Sequence, residues 1–291
     1  MIDKNKIEFF LFRSAQKIFG FIGINTTRRI AVLVGTLFFY LIPIRKKTTI
    51  ENLSKAFPDL SISKIKELAK KNYQNVTITF LELMCMQSIS SAQIKSEVEF
   101  DKPELLHHLI DEPNGLIVFT GHFGNWEFLM TAIALNIKTH FNVLMRPQRN
   151  CYINKWLKKT RARFGTRVIE AGVSVKELFK ALVNKEAVGI AGDQRGHFDN
   201  PRFNFFNQPT ALYTGTASIA LRTKSNILLT ALVRQKDFKF MCYLEQLSFE
   251  NLPDDEEAKI KEITQRYISF IEKYVRQYPE QYFWMHKLWK Y

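Results

Sequence analysis

Four short apolar runs constrain this chain more than any other feature: LIVFT (116–120), FNVLM (141–145), AVGIAG (187–192) and ILLTALV (227–233). Each has the length of a strand and is almost wholly apolar, Thr120, Asn142 and Thr230 being the polar exceptions, as expected of strands covered on both faces. Between them lie helix-like segments near 125–136, 151–164 and 174–184. Strands alternating with helices predict an α/β fold, a mixed or parallel sheet flanked by helices. A further helix is expected to open at Ser61 or Ser63 and run to about Gln87. The acidic Asp254-Asp255-Glu256-Glu257 reads as first-turn charge on a long amphipathic helix reaching about Gln277. No repeat or low-complexity linker interrupts residues 48–291, which are read as one domain.

Residues 1–47 read differently. From Ile7 to Ile44 the chain is mostly apolar, and IAVLVGTLFFYLIPI (30–44) lies between Arg28-Arg29 and Arg45-Lys46-Lys47. Fifteen uncharged residues fall short of the ~20 that cross a bilayer squarely. The basic flanks suit a snorkelling, tilted or interfacial helix, so a membrane-anchoring region is expected, with a buried core helix as the alternative. Basic residues after the segment point to the cytoplasmic side. No small-residue site follows the apolar core, which fits a cleaved signal peptide badly.

Lys and Arg outnumber Asp and Glu by 42 to 28, a formal +14. Such an excess suits nucleic acid, an anionic membrane or a phosphorylated substrate. Eleven Lys/Arg against two acids between Lys138 and Lys180 carry a net +9 of it. They follow Arg146-Pro147-Gln148-Arg149 in a strand-to-helix loop, which favours an anion-binding rim over a merely solvated face. Cys85, Cys151 and Cys242 are far apart and form no CxxC pair, so neither a disulfide framework nor a cysteine zinc site is expected.

The stretch GHFGNWE (121–127) follows LIVFT directly, and Gly192-Asp193-Gln194 ends the AVGIAG run. In a parallel sheet, ligands bind beyond the carboxyl ends of the strands. Both stretches would therefore share one edge. Within a single helix, His122 and Glu127 would point about 140° apart, since each residue turns ~100°. If His122 ends the strand and Glu127 opens the helix they can approach, and the flanking glycines permit the turn. A plain helix start with a favourable first-turn acid explains the spacing equally well. No HExxH, GxSxG or P-loop pattern is present, so metal and covalent chemistry lack a motif. General-base catalysis by a histidine steadied by a carboxylate remains.

His122-x4-Glu127 resembles the H-x4-D/E signature of glycerolipid-type acyltransferases. NLSKAFPDLS (52–61), GHFGNWE, Arg146-Pro147, WLKKTRARFG (156–165), GDQ (192–194) and PEQYFWMHKLWK (279–290) together resemble the late lipid A biosynthesis acyltransferases, in order and over nearly the whole chain. The resemblance implies a glycerolipid-acyltransferase-like sheet docked on the cytoplasmic face of a Gram-negative inner membrane. It implies transfer of a fatty acyl chain from acyl carrier protein, or CoA, to a hydroxyl of a lipid A precursor. The implied catalytic residues are His122 as base with Glu127 and Asp193, the carboxylate that orients the histidine being left open between them. Arg161 is the implied substrate-binding arginine, meeting phosphate or developing charge; Arg146, Arg149 and Arg163 of the basic rim, with Asn125 and Gln194 of the two motifs, are the other candidate substrate-binding residues. The resemblance implies no acyl-enzyme, no metal, no cofactor and no nucleic acid. The partners are acyl carrier protein, a phosphorylated glycolipid and membrane lipid. Another glycolipid or an amino-acid lipid is the alternative acceptor.

Overall fold

A computed structural model describes residues 3–171 and 175–290 of the protein. Helices α1 (Lys4–Ile22), α2 (Ile24–Leu41), α3 (Lys46–Ala56), α4 (Ile62–Cys85) and α5 (Ser91–Glu97) come first. Next come β1 (Val98–Phe100), α6 (Pro103–Asp111), β2 (Leu116–Thr120), α7 (Trp126–Asn136), β3 (Phe141–Met145) and α8 (Cys151–Ala162). Strand β4 (Thr166–Glu170), α9 (Val175–Val183), β5 (Ala187–Ala191), β6 (Arg202–Phe205), β7 (Gln208–Ala211) and α10 (Gly215–Thr223) follow. The chain closes with β8 (Asn226–Arg234), β9 (Phe240–Gln246), α11 (Glu256–Gln277) and a 3-10 turn at Pro279–Gln281. All four apolar runs are strands, and the expected helices stand within a few residues of their expected ends. Ser174, where one was expected to open, lies outside the described residues.

The main sheet has the order β1-β9-β8-β2-β5-β3-β4 and is parallel except where β8 meets β9. A separate hairpin joins β6 to β7 through Phe206-Asn207, both at positive φ, the two-residue turn whose twist suits a hairpin. Because successive strand residues face opposite ways, β2 serves two cores. Ile117 and Phe119 face α11, packing with Tyr267 and Ile271, while Leu116 and Val118 face α7, packing with Phe128 and Ile133. Two capped helices match their sequence signals. Ser61 caps α4 by accepting from the backbone N–H of Lys64, and Asp255 caps α11 by accepting from that of Ala258 at 2.8 Å.

The N-terminal helices belong to this core on one side only. Helix α2 lies along α4 so closely that a Cβ on Gly35 would meet the backbone of Tyr73 and Gln74. It buries Ala31, Gly35 and Phe39 and exposes Leu33, Leu37 and Tyr40. On α1, Phe10, Leu11 and Phe21 are exposed, Phe21 at 92%. Among the described residues no single helix is long and apolar enough to cross a membrane; α2 and α3 pass that test only together, across a 97° bend. Arg28 is not a membrane flank as expected. It is 1% exposed, its Nε 2.6 Å from Glu82 and its Nη1 2.8 Å from Glu97. A guanidinium facing carboxylates in the core has no reason to snorkel.

The chain after α11 is a strap. Phe123 and Tyr282 form an antiparallel bridge, with the N–H of Gly124 donating to Gln281 O and that of Phe283 to His122 O, both at 2.9 Å. The strap's outer carbonyls need partners of their own once buried. Asn72 donates to the carbonyls of Glu280 and Tyr282 at 3.0 and 2.6 Å. Asn52 does the same for Trp284 and His286 at 2.8 and 2.7 Å. The Asn72→Ala variant should lose about 1–3 kcal/mol of stability in urea denaturation, because two carbonyls lose their shared donor. An unchanged midpoint would contradict the strap's dependence on α4.

Candidate active site

The β2–β5 register places the site. Thr120 stands opposite Ala191, and each strand then runs two residues further, to His122 and to Asp193. The imidazole Nδ1 lies 2.6 Å from Asp193 Oδ1, and the backbone N–H of His122 donates to Oδ2 at 2.9 Å. Gly121 lets the carboxylate in, since a Cβ there would sit 3.1 Å from Oδ2 and 3.0 Å from Ile271 Cγ2. Gly124 is required for a second reason: its φ is +56°, and a Cβ would run into the carbonyl oxygen of Leu232.

Asp193 is 1% exposed. Burial alone would push its carboxyl up, but the His122 charge and hydrogen bonds, with the Tyr282 hydroxyl, outweigh that and hold it below the usual range. It is thus a carboxylate at neutral pH, able only to accept. In the neutral imidazole, Nδ1 facing this carboxylate carries the proton and Nε2 is the acceptor. Burial first, and the nearby carboxylate second, push the Tyr282 phenol far up, so it remains a donor. The His122 ring lies 5.1 Å from the Trp126 ring and 6.4 Å from that of Phe283, and Phe80 packs edge-on against both aromatics. His122 keeps 20% of its side chain exposed. The arrangement is a carboxylate-held histidine at an apolar, open wall.

Glu127 has another partner. Arg161, in the last turn of α8, grips it with Nε at 3.0 Å and Nη2 at 2.6 Å, and both side chains are about nine-tenths buried. Arg161 Nη1 has no hydrogen-bond partner. The five-residue spacing that drew attention to Glu127 therefore serves an α7–α8 clamp. Asn125 is fully buried: its Oδ1 caps α7 by accepting from the backbone N–H groups of Glu127 and Phe128 at 3.1 and 3.0 Å. Its Nδ2 donates to Glu82 at 2.7 Å, and at 0% exposure the side chain faces the interior. Arg146 and Arg149 are exposed in the β3–α8 loop. Arg163 is exposed too, its Nη1 donating to Met86 O at 2.8 Å, and Gln194 is half-buried beside Asp193.

Sequence reading missed Glu82, Arg234, Tyr282 and His286. Glu82 carried a signal of its own, a lone acid among apolar neighbours in FLELMC (80–85), and Tyr282 and His286 lie in PEQYFWMHKLWK (279–290), which marked the segment but no role. His286 is pushed down to about 4, first by burial, with Arg195, His122 and Arg45 opposing the upward pull of Asp193. Its Nδ1 is buried without a partner. Among the described residues no three of His, Cys, Asp and Glu gather as metal ligands.

Two measurements follow from this geometry. His286 prefers the neutral form in the folded state, so as pH falls from about 6.5 to about 4 the unfolded chain binds the extra proton and stability drops. His286→Gln should flatten the dependence of the urea midpoint on pH in that window; an unaltered slope would count against the buried neutral imidazole. Glu127→Leu should cost about 3–5 kcal/mol by stranding the Arg161 guanidinium, and the double variant Glu127→Leu/Arg161→Met should regain most of it. Equal instability of single and double variants would show that the pair is not the relevant contact.

With the geometry in hand, comparisons give the lineage. The model of the bacterial lipid A biosynthesis acyltransferases matches residues 5–291. The lipid A biosynthesis lauroyltransferase of Escherichia coli (strain K12) is 24% identical over 268 residues, covering 90% of this chain and 84% of that protein. The lipid A biosynthesis palmitoleoyltransferase of the same organism and the lipid A biosynthesis acyltransferase of Shigella flexneri are each 22% identical over 251 residues, 84% of this chain and 79% of theirs. A family match that spans almost the entire chain, over a sheet edge carrying a paired histidine and aspartate, means that this protein belongs to the bacterial lipid A biosynthesis acyltransferase family and is an acyltransferase.

Proposed function

We propose that the protein transfers a fatty acyl chain from the thioester of acyl carrier protein to a hydroxyl of a lipid A precursor, with His122 as general base. The observation that carries this reading is the 2.6 Å contact between His122 Nδ1 and buried Asp193, which leaves Nε2 free on the open side. The acceptor hydroxyl gives its proton to Nε2 as its oxygen attacks the thioester carbonyl. Asp193 meets the imidazolium that forms. When the tetrahedral species collapses the C–S bond breaks, and the thiolate leaves with the proton from Nε2. The products are an ester and the free thiol of the carrier, with no covalent enzyme intermediate.

Arg161 is spoken for by Glu127 and acts chiefly to hold the first turn of α7, on which Trp126 stands. Anionic groups fall instead to the exposed Arg146, Arg149 and Arg163, in the segment whose net charge of +9 also suits an acidic carrier protein. The exposed apolar faces of α1 and α2 support an interfacial seat on the cytoplasmic side of the inner membrane, with the opposite face of α2 on α4. Both elements lie on the membrane in this reading, so residues 1–47 act as an anchor without forming a separate domain.

Two experiments test the proposal. His122→Ala should leave folding and membrane association intact and reduce acyl transfer by about 10²–10⁴-fold, the worth of a general base; a retained rate removes His122 from the chemistry. Mass spectrometry of lipids from a deletion strain should show lipid A short of one acyl chain. Intact lipid A alongside another under-acylated lipid would move the acceptor to that lipid.

A further inference from the structure

Glu82 is the most deeply buried acid in the molecule with no part in the chemistry above, at 0% exposure. Burial pushes its carboxyl up, but two guanidinium groups overcome this and keep it ionised. Arg28 Nε and Arg234 Nη1 each lie 2.6 Å from Oε1, and Asn125 Nδ2 donates to Oε2 at 2.7 Å. These bonds do not stop at a local cluster. The backbone N–H of Arg234 donates to Gln281 Oε1 at 2.8 Å, and Gln281 Nε2 returns a bond to Arg234 O at 3.0 Å. The Gln281 carbonyl accepts from Gly124 N–H at 2.9 Å, and Gly124 is joined covalently to Asn125. The path Glu82–Asn125–Gly124–Gln281–Arg234–Glu82 is closed. Thr79 bridges it from inside, its hydroxyl donating to Gly124 O at 2.9 Å and accepting from Arg234 Nη2 at 3.2 Å.

Every polar group of Gly124 and of the Asn125 side chain is therefore fixed by this ring or by the first turn of α7. His122 stands two residues before Gly124. It has one face on Asp193, and its own carbonyl is held by Phe283 of the strap. A buried carboxylate between two arginines is a poor stabiliser compared with well-packed apolar side chains. It does, however, define direction, and a base must be held to within ~0.5 Å of productive geometry. We infer that Glu82, acting through Asn125 and the Arg234–Gln281 bond pair, is a positioning residue for the reaction that sets where His122 Nε2 points. This rests on the reading of His122 as base.

The test compares kcat and KM for acyl transfer to a lipid A precursor in wild type, His122→Ala, Glu82→Gln, Asn125→Asp, the double Glu82→Gln/Asn125→Asp, and Thr79→Val. Circular dichroism melts identify which variants are folded at the assay temperature. Asp is as good an N-cap as Asn, so Asn125→Asp keeps the α7 cap, loses the donor to Glu82 and sets a carboxylate against it. The double variant restores that bond with donor and acceptor exchanged and keeps the cluster's net charge, with the carboxylate moved to position 125. Each folded single variant should lose about 10- to 100-fold in kcat with KM nearly unchanged, the mark of a misaimed group. The double variant should recover much of kcat. Should the charge variants fail to fold, Thr79→Val, which leaves every charge in place, decides the matter by the same kcat and KM criterion. Folded variants with wild-type kcat, or losses that merely follow the folded fraction, overturn the inference. Equal rates for wild type and His122→Ala would instead overturn the reading of the base.

Discussion

The pairing of β2 with β5 is the constraint on which the site depends. Parallel strands in register carry the residues beyond their ends forward side by side, so Thr120 opposite Ala191 commits His122 to Asp193. Neither residue has to be placed by its own loop. The rest of the machinery keeps that pairing usable. Gly121 admits the carboxylate, Gly124 turns the chain under the carbonyl of Leu232, and Trp126 and Phe283 flank the ring without covering it. A sheet edge offers such an arrangement because backbone hydrogen bonds fix each strand end to its neighbours on both sides.

The same logic explains why charge occurs so deep in the interior. Three segments that are distant in sequence, the α2–α4 layer, the end of β8 and the chain after α11, must agree on the position of one turn. Apolar packing alone tolerates sliding by a methyl group or so, whereas a carboxylate fixed by two guanidinium groups and an amide does not. The aromatic wall by His122 then adds what a polar ring cannot, an oily face next to the imidazole.

Much of this was legible in the residues, and the limits were physical. Strands β2, β3, β5 and β8 are central and covered on both faces, so their composition alone marks them. Strands β1 and β4 lie at the sheet edges and mix charge with apolar residues, as VEF and TRVIE, so they carry no such mark. His122 and Asp193 were each readable as strand-end residues. Their contact was not, because strand order is a property of the whole chain. Glu127 illustrates the converse: proximity in sequence made it prominent, yet its carboxylate reaches across to α8. The N-terminal segment read correctly as apolar. Which side of α2 would be covered could not be known without α4, and Arg28 looked like a flank because its partners are 54 and 69 residues away.

The strap has a temporal consequence. The turn at residues 121–125 is completed by residues 281–283, which are made about 160 residues later. At about 5–20 residues per second, a newly synthesised turn waits on the order of ten to thirty seconds for the segment that closes it. During that interval α1 to α4 have long since emerged, while the backbone carbonyl of His122 still lacks its donor from Phe283. Translation order thus separates the making of the turn from its completion, and a chain interrupted before residue 283 would carry His122 without the donor that holds its carbonyl.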